Sequence, residues 1–290
     1  MTRKTEGKMK CSSIESRRGA VSWVLLLVAL VIGAAGLWLL GSRAPTAPEG
    51  PESPADGTDD VTTHGEWVYI EKGEDSIRAY VAYPESDSPA PAVIVIHEIF
   101  GLTDWEPTVA DRLAASGYVA IVPDLLSSTH GRSPEDPDEG RKLVGDLSDE
   151  TVTADLDATY EYVTGLPAVD SSNVGTIGFC WGGGQSFRYA TSNPRLNAAV
   201  VCYGSSPPEE AMSRIEAPVL GVHGEQDERI NARLPWTDST MTRLGKSYEY
   251  DIYQGTGHGF LKPGRRGSDG PQVEAAWDRI IAFYRANLGQ

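Results

Sequence analysis

Five uninterrupted apolar runs, residues 92–96, 118–122, 175–179, 198–202 and 219–222, constrain this chain's fold more than any other feature. A strand with one wetted face alternates apolar and polar residues. A strand that is apolar throughout has both faces covered, as in a parallel sheet between helices. Residues 248–253 form a sixth, more polar run, and helical periodicity appears between the runs at 109–115, 152–163, 184–190 and 273–288. Ahead of them, 67–72 and 77–83 alternate around Lys72-Gly73-Glu74-Asp75, the pattern of an antiparallel hairpin. This alternation of β and α from about Glu66 to the C-terminus predicts an α/β fold: one doubly wound, mostly parallel sheet with an N-terminal antiparallel hairpin. In such a sheet, ligands bind beyond the carboxyl ends of the strands.

The N-terminal part, up to Gly65, follows different rules. Residues 1–18 hold six Lys/Arg against two Asp/Glu. Residues 21–40, inside a segment running from 19 to 42, carry no charge and consist largely of Val, Leu, Ala, Ile and Gly. About 20 helical residues cover the roughly 30 Å hydrocarbon core of a bilayer. The expected organisation is therefore a basic cytoplasmic tail (1–18), a single transmembrane signal anchor (19–42), a Pro-rich and acidic tether (43–65) and a catalytic domain (66–290). By the positive-inside rule that domain lies outside the cytoplasm. The alternative is a cleaved signal peptide with Ala44 and Ala47 at the cleavage site, which would make the protein secreted. Beyond Arg18 acidic side chains far outnumber basic ones, a balance that excludes nucleic acid and anionic lipid surfaces as partners. Membrane contact is expected through the N-terminal helix alone, with the catalytic domain a monomer. Of the three cysteines, Cys180 and Cys202 fall in the exported part, too few for a disulfide framework, and Cys202 sits in a run that reads as an interior strand.

The residues after each apolar run carry the chemistry. Gly178-Phe179-Cys180-Trp181-Gly182 has the spacing of the G-x-S-x-G elbow, with Cys for Ser: glycines permit a strained strand-to-helix turn whose apex side chain points into a cleft. A thiol at a helix N-terminus feels partial positive charge that favours the thiolate. After the run ending at Val222 comes His223-Gly224-Glu225-Gln226-Asp227, and after the last run Gly257-His258-Gly259-Phe260. The order nucleophile, acid, histidine assigns Cys180 as nucleophile, His258 as base and Asp227 as the residue that orients the imidazole, with Glu225 and Glu228 as rival acids.

Together with His97-Glu98-Ile99-Phe100-Gly101, these motifs resemble the dienelactone hydrolase family, over a region from about Glu66 to the C-terminus. The resemblance implies an α/β-hydrolase fold, a Cys-His-Asp triad, no metal or organic cofactor, and small esters or lactones as substrates cleaved through an acyl-thioenzyme. It also implies that Glu98 contacts the resting thiol and helps generate the thiolate, and that the backbone N–H groups of Ile99 and Trp181 form the oxyanion hole. Family members that act on dienelactone hold its carboxylate with arginines, one of them four residues beyond the triad histidine. Here that position is Lys262, a point charge without a bidentate fork. Arg132 and Arg141 are candidates for a second cation, and 127–149, full of Pro, Gly and charge, reads as a lid or a surface loop. Two other readings are a thiol redox or peroxide-sensing protein using Cys180, and a catalytically silent binding domain of the same fold.

Overall fold

The computed structural model describes residues 64–289. The expected membrane span and tether lie outside the described residues, among which no helix is long and apolar enough to cross a membrane. Strands β1 (His64–Lys72) and β2 (Asp75–Tyr83) form the antiparallel hairpin, turning at Gly73, whose φ of 64° suits glycine. Next come β3 (Ala90–Ile96), β4 (Val119–Pro123), β5 (Val169–Phe179), β6 (Ala198–Cys202), β7 (Val219–Gly224) and β8 (Tyr248–Tyr253). The eight strands lie in one sheet of order β1-β2-β4-β3-β5-β6-β7-β8, antiparallel from β1 through β2 to β4 and parallel from β4 to β8.

The apolar runs are explained by two cores. Period-two geometry sends Ile94 and Ile96 of β3 to one face and Val93 and Val95 to the other, and all four are fully buried. Helices α1 (Trp105–Ala115) and α9 (Pro271–Leu288) cover the second face, with Leu113, Trp277 and Tyr284 in its core. Helices α4 (Asp149–Thr164) and α5 (Trp181–Ala190) cover the first with Leu156, Val163 and Phe187. Tyr284 also donates its hydroxyl to the Thr176 carbonyl at 2.8 Å, so the C-terminal helix is tied to the central strand by a buried polar bond as well as by packing.

The segment 127–149 differs from the expectation of a lid or plain loop. It holds two helices, α2 (Ser127–His130) and α3 (Pro137–Asp146). Asp136 caps α3 by accepting from the Asp138 N–H, and Pro137 occupies the first helical position. Asp124 holds the approach to α3: one carboxylate oxygen accepts from the Ser133 N–H and the other from the Ser133 hydroxyl, both at 2.7 Å. Short helices α6 (Glu209–Met212) and α7 (Glu228–Asn231) and the longer α8 (Leu234–Arg243) complete the described elements.

One buried charge ties these layers together. Asp155 in α4 is wholly buried. It accepts from Lys72 Nζ of β1 at 2.5 Å and from the Ser128 hydroxyl of α2 at 2.7 Å. Removing the lysine strands a carboxylate away from water, where only the serine remains to compensate. Lys72→Met is expected to lower the unfolding free energy at neutral pH by about 3 kcal/mol, read from urea denaturation. An unchanged unfolding free energy would show that the pair is not a structural tie.

Candidate active site

The central strand ends at a backbone crossing too close for side chains. A Cβ on Gly178 would lie 1.9 Å from the Gly182 carbonyl oxygen, and one on Gly182 would lie 2.3 Å from the carbonyl oxygens of Ile96 and His97. Both contacts are with backbone, so neither can be relieved by a rotamer. Between these glycines Cys180 adopts φ 57° and ψ −113°, a strained conformation for a residue with a Cβ. Its N–H donates to the Cys202 carbonyl at 3.0 Å, and α5 begins at the next residue. The thiol thus stands at the carboxyl end of β5 and the N-terminus of α5. Cys180 and Cys202 are both free thiols; Cys202 is fully buried, and burial pushes its thiol well up from the ordinary value.

His258 reaches this point from the loop after β8. Its Nδ1 donates to Asp227 Oδ2 at 2.5 Å. Asp227 stands at the N-cap of α7, where its other oxygen takes the Ile230 N–H at 3.5 Å. Of the acids after β7, Asp227 is the one that meets the imidazole, while Glu225 accepts the Gly255 N–H at 2.8 Å and so holds the histidine loop instead. Burial alone would push His258 down, but hydrogen bonds to Asp227 and Cys180 outweigh it and raise the imidazole from 6.5 to about 9. For Asp227 burial pulls upward, and the bond from His258 overcomes it, holding the carboxyl below its ordinary value.

Glu98 follows β3 and is buried. The resemblance implies a contact with the resting thiol; the side-chain hydrogen bond that Glu98 makes is to a cation. Glu98 Oε2 accepts from Lys262 Nζ at 2.9 Å, and among the described residues no hydrogen bond joins it to Cys180. Lys262 also lies 3.4 Å from the Thr103 hydroxyl and 5.0 Å from the centre of the Trp105 ring. The physical reason is charge: a buried carboxylate pairs with a reachable ammonium, which offers the opposite charge that a sulfur cannot.

Trp181 opens α5, so its N–H has no helical carbonyl to bond, and among the described residues no hydrogen bond uses the Ile99 N–H. Both donors are therefore open, on the two loops that the Gly182 crossing presses together. Of the candidate second cations, Arg141 Cζ lies 5.3 Å from the centre of the Phe100 ring, whereas Arg132 lines a hollow shared with Trp67 and Arg78.

Four contributors were not singled out in the sequence. Glu106 is wholly buried and accepts both the N–H (2.8 Å) and the hydroxyl (2.6 Å) of Thr103, with the Glu98 N–H at 3.5 Å, so it shapes the 98–103 loop. The His97 ring takes the Leu125 N–H on Nε2, donates from Nδ1 to the Glu98 carbonyl at 2.7 Å, and stacks on Trp181 at 5.5 Å. Tyr203, at φ 42° after β6, sets its ring edge-on to His258 at 5.1 Å. Arg265 lies 6.0 Å from the Phe100 ring centre and joins Arg141 and Lys262 around it. A histidine directly after an apolar strand was the one available signal for His97; the other three had none.

The chain's relatives agree with this architecture. The family model for the dienelactone hydrolase family matches residues 77–288. A protein of Saccharolobus solfataricus named "Putative carboxymethylenebutenolidase" is 32% identical over 255 residues, covering 75% of this chain and 97% of its own length. One of Escherichia coli K12, with the same name, is 32% identical over 248 residues, covering 80% of this chain and 90% of its own length. A Klebsiella pneumoniae crystal structure titled "Putative Dienelactone Hydrolase" superposes with a TM-score of 0.68 at 28% identity, covering 77% of this chain and 98% of that one. The sheet order, the elbow and the loops that follow each parallel strand are thus those of the α/β-hydrolase fold, and the match over nearly the whole described region shows that the chain belongs to the dienelactone hydrolase family.

Proposed function

We propose that this protein hydrolyses small esters or lactones with Cys180 as nucleophile, through an acyl-thioenzyme. The observation that carries the reading is the strained Cys180 at the elbow, coupled to a His258 that is itself locked to Asp227 at 2.5 Å. His258, held well above its ordinary value, keeps a proton beside the sulfur, and the attacking species in this reading is the thiolate. The sulfur attacks the acyl carbon, forming a C–S bond, and the carbonyl oxygen becomes an oxyanion within reach of the Ile99 and Trp181 N–H groups. Donors so placed contribute about 3 kcal/mol of transition-state stabilisation each. Collapse breaks the C–O bond to the alcohol, which leaves with the proton from His258. Water then gives a proton to His258, attacks the thioester carbon and releases the acid and the thiolate.

Lys262, Arg141 and Arg265 around Phe100 supply positive charge on one side of this centre, which supports substrates bearing an acidic group near the scissile bond. Glu98 then has the role of holding Lys262 until such a group arrives. A single chain supplies every group named, so the catalytic unit needs no second copy. We also propose that residues 19–42 anchor the enzyme to a membrane with the catalytic domain outside the cytoplasm.

Full-length protein is expected to cleave a short-chain aryl ester, and Cys180→Ala to lower kcat/KM by at least about a thousandfold. Mass spectrometry of quenched wild-type enzyme should find the acyl group on Cys180; equal rates in wild type and variant would sink the assignment. The His258 pKa gives a second expectation. A folded value of about 9 against 6.5 unfolded means that its contribution to stability is fully present below about pH 6.5 and is lost as pH rises through 9. The stability difference between wild type and His258→Gln, measured by urea unfolding on both sides of that window, should shrink as pH rises. A difference flat across it would show that the imidazole is not raised. For topology, a reporter fused after Gln290 should be active only outside the cytoplasm, and a cytoplasmic signal would overturn the proposed orientation.

A further inference from the structure

Beside the acid loop lies a cavity of about 160 Å³ whose lining includes none of Cys180, His258, Glu98, Ile99, Trp181 or Lys262. It sits beyond β6 and β7 under helices α7 and α8. Phe187, Val201, Ile230 and Leu234 give it apolar walls. At its inner side is His223, 1% exposed, with neither ring nitrogen hydrogen-bonded to anything among the described residues. A buried imidazole with two unsatisfied nitrogens is costly unless something else meets them. Burial pushes His223 down to about 4, so near neutrality the ring offers one N–H donor and one bare acceptor.

The mouth has the opposite character. Arg229 and Arg233 line it, both exposed, and neither makes an ion pair among the described residues; Arg233 lies over the Trp236 ring at 4.3 Å. The nearby Thr237 and Ser206 hydroxyls lie 3.0 Å apart, and Thr237 also donates to the Arg233 carbonyl at 3.1 Å, so the pair is tied to the backbone that carries Arg233. The carboxylate that would most oppose an anion here, Asp227, is already engaged by His258 and the Ile230 N–H.

We propose that this cavity binds a compact hydroxy-carboxylate: carboxylate against Arg229 and Arg233 at the mouth, apolar body between Phe187 and Leu234, and hydroxyl on His223 at the floor. Each part of the ligand answers a separate feature of the cavity. The volume is right for a body of one aromatic ring, since a cavity of about 150 Å³ accommodates benzene. A hydroxyl fits His223 better than a second charge, because it can donate to the bare nitrogen or accept from the protonated one. A plain apolar acid would leave both nitrogens unmet, and a neutral phenol would leave the two arginines unused.

The test titrates full-length protein with 4-hydroxybenzoate and with benzoate, followed by calorimetry, so its outcome does not depend on ester turnover. The wild type should bind 4-hydroxybenzoate about tenfold more tightly than benzoate, the difference expected for a buried polar partner met against one left unmet. His223→Phe keeps a ring and removes its nitrogens, and should bring the two affinities together. Arg233→Gln, on the exposed mouth where folding is not at stake, should weaken both acids by about five- to tenfold. No heat of binding at millimolar acid, equal affinities in the wild type, or unchanged binding in Arg233→Gln would each overturn the proposal. Failure of the ester assay with binding intact would instead count against the hydrolase reading alone.

Discussion

The site depends on two backbone segments passing closer than any side chain allows. With Gly182 bare, the start of α5 packs against the carbonyls of Ile96 and His97. With Gly178 bare, the strand can fold back against that same helix turn. This crossing sets the loop that carries Glu98 and Ile99 against the turn that carries Cys180 and Trp181. It also leaves Cys180 at φ 57°, a conformation that costs on the order of 1–3 kcal/mol and persists only because the surrounding sheet fixes both ends. The central position of β5, paired in parallel with β3 on one side and β6 on the other, supplies that rigidity.

The histidine and acid loops add the second half, and each is held independently of the elbow. Glu225 fastens the histidine loop through Gly255, while Asp227 is aimed by its place at the N-cap of α7. His97 supports the proposed oxyanion side. Its two ring nitrogens are both used on backbone, and its stack on Trp181 fixes the residue whose N–H opens α5. Preorganisation of this kind lets hydrogen-bond donors meet a developing charge without first being reoriented.

The sequence showed the parallel strands because burial on both faces writes itself as an apolar run. It hid elements that are only half buried or that put polar residues inward. The early part of β5 is one: Asp170, Ser171 and Ser172 precede the apolar stretch with no hydrophobic signal, yet Val169 pairs with Ala90 of β3. Helix α8 is another, since Thr237 and Thr240 occupy inward positions beside Leu234 and Met241 and so break the apolar period. Helix α3 buries only Gly140 and Val144, too little to stand out in a stretch of Pro, Gly and charge. In the candidate site, the elbow, Asp227 and His258 were legible because each follows a strand directly. The partner of Glu98 was not, because which cation a buried acid meets depends on side-chain reach across the fold, here between residues 164 positions apart.

That pairing changes how substrate acidity enters the proposed reaction. Glu98 and Glu106 are both buried, and the single ammonium of Lys262 lies 2.9 Å from one and 4.0 Å from the other. An acidic group on a substrate that approaches Lys262 must therefore compete with two carboxylates already in place. Glu106 is the less displaceable of the two, since Thr103 gives it two further hydrogen bonds. Glu98 has its Lys262 bond and nothing comparable, so in the proposed reaction it is the one that an acidic group would displace. The lysine in place of a forked arginine makes this exchange easier, because a point charge can pass between acceptors without breaking a bidentate geometry. In the proposed reaction an acidic substrate therefore reaches Lys262 by an exchange of ion pairs, and Glu98 sets how much that exchange costs.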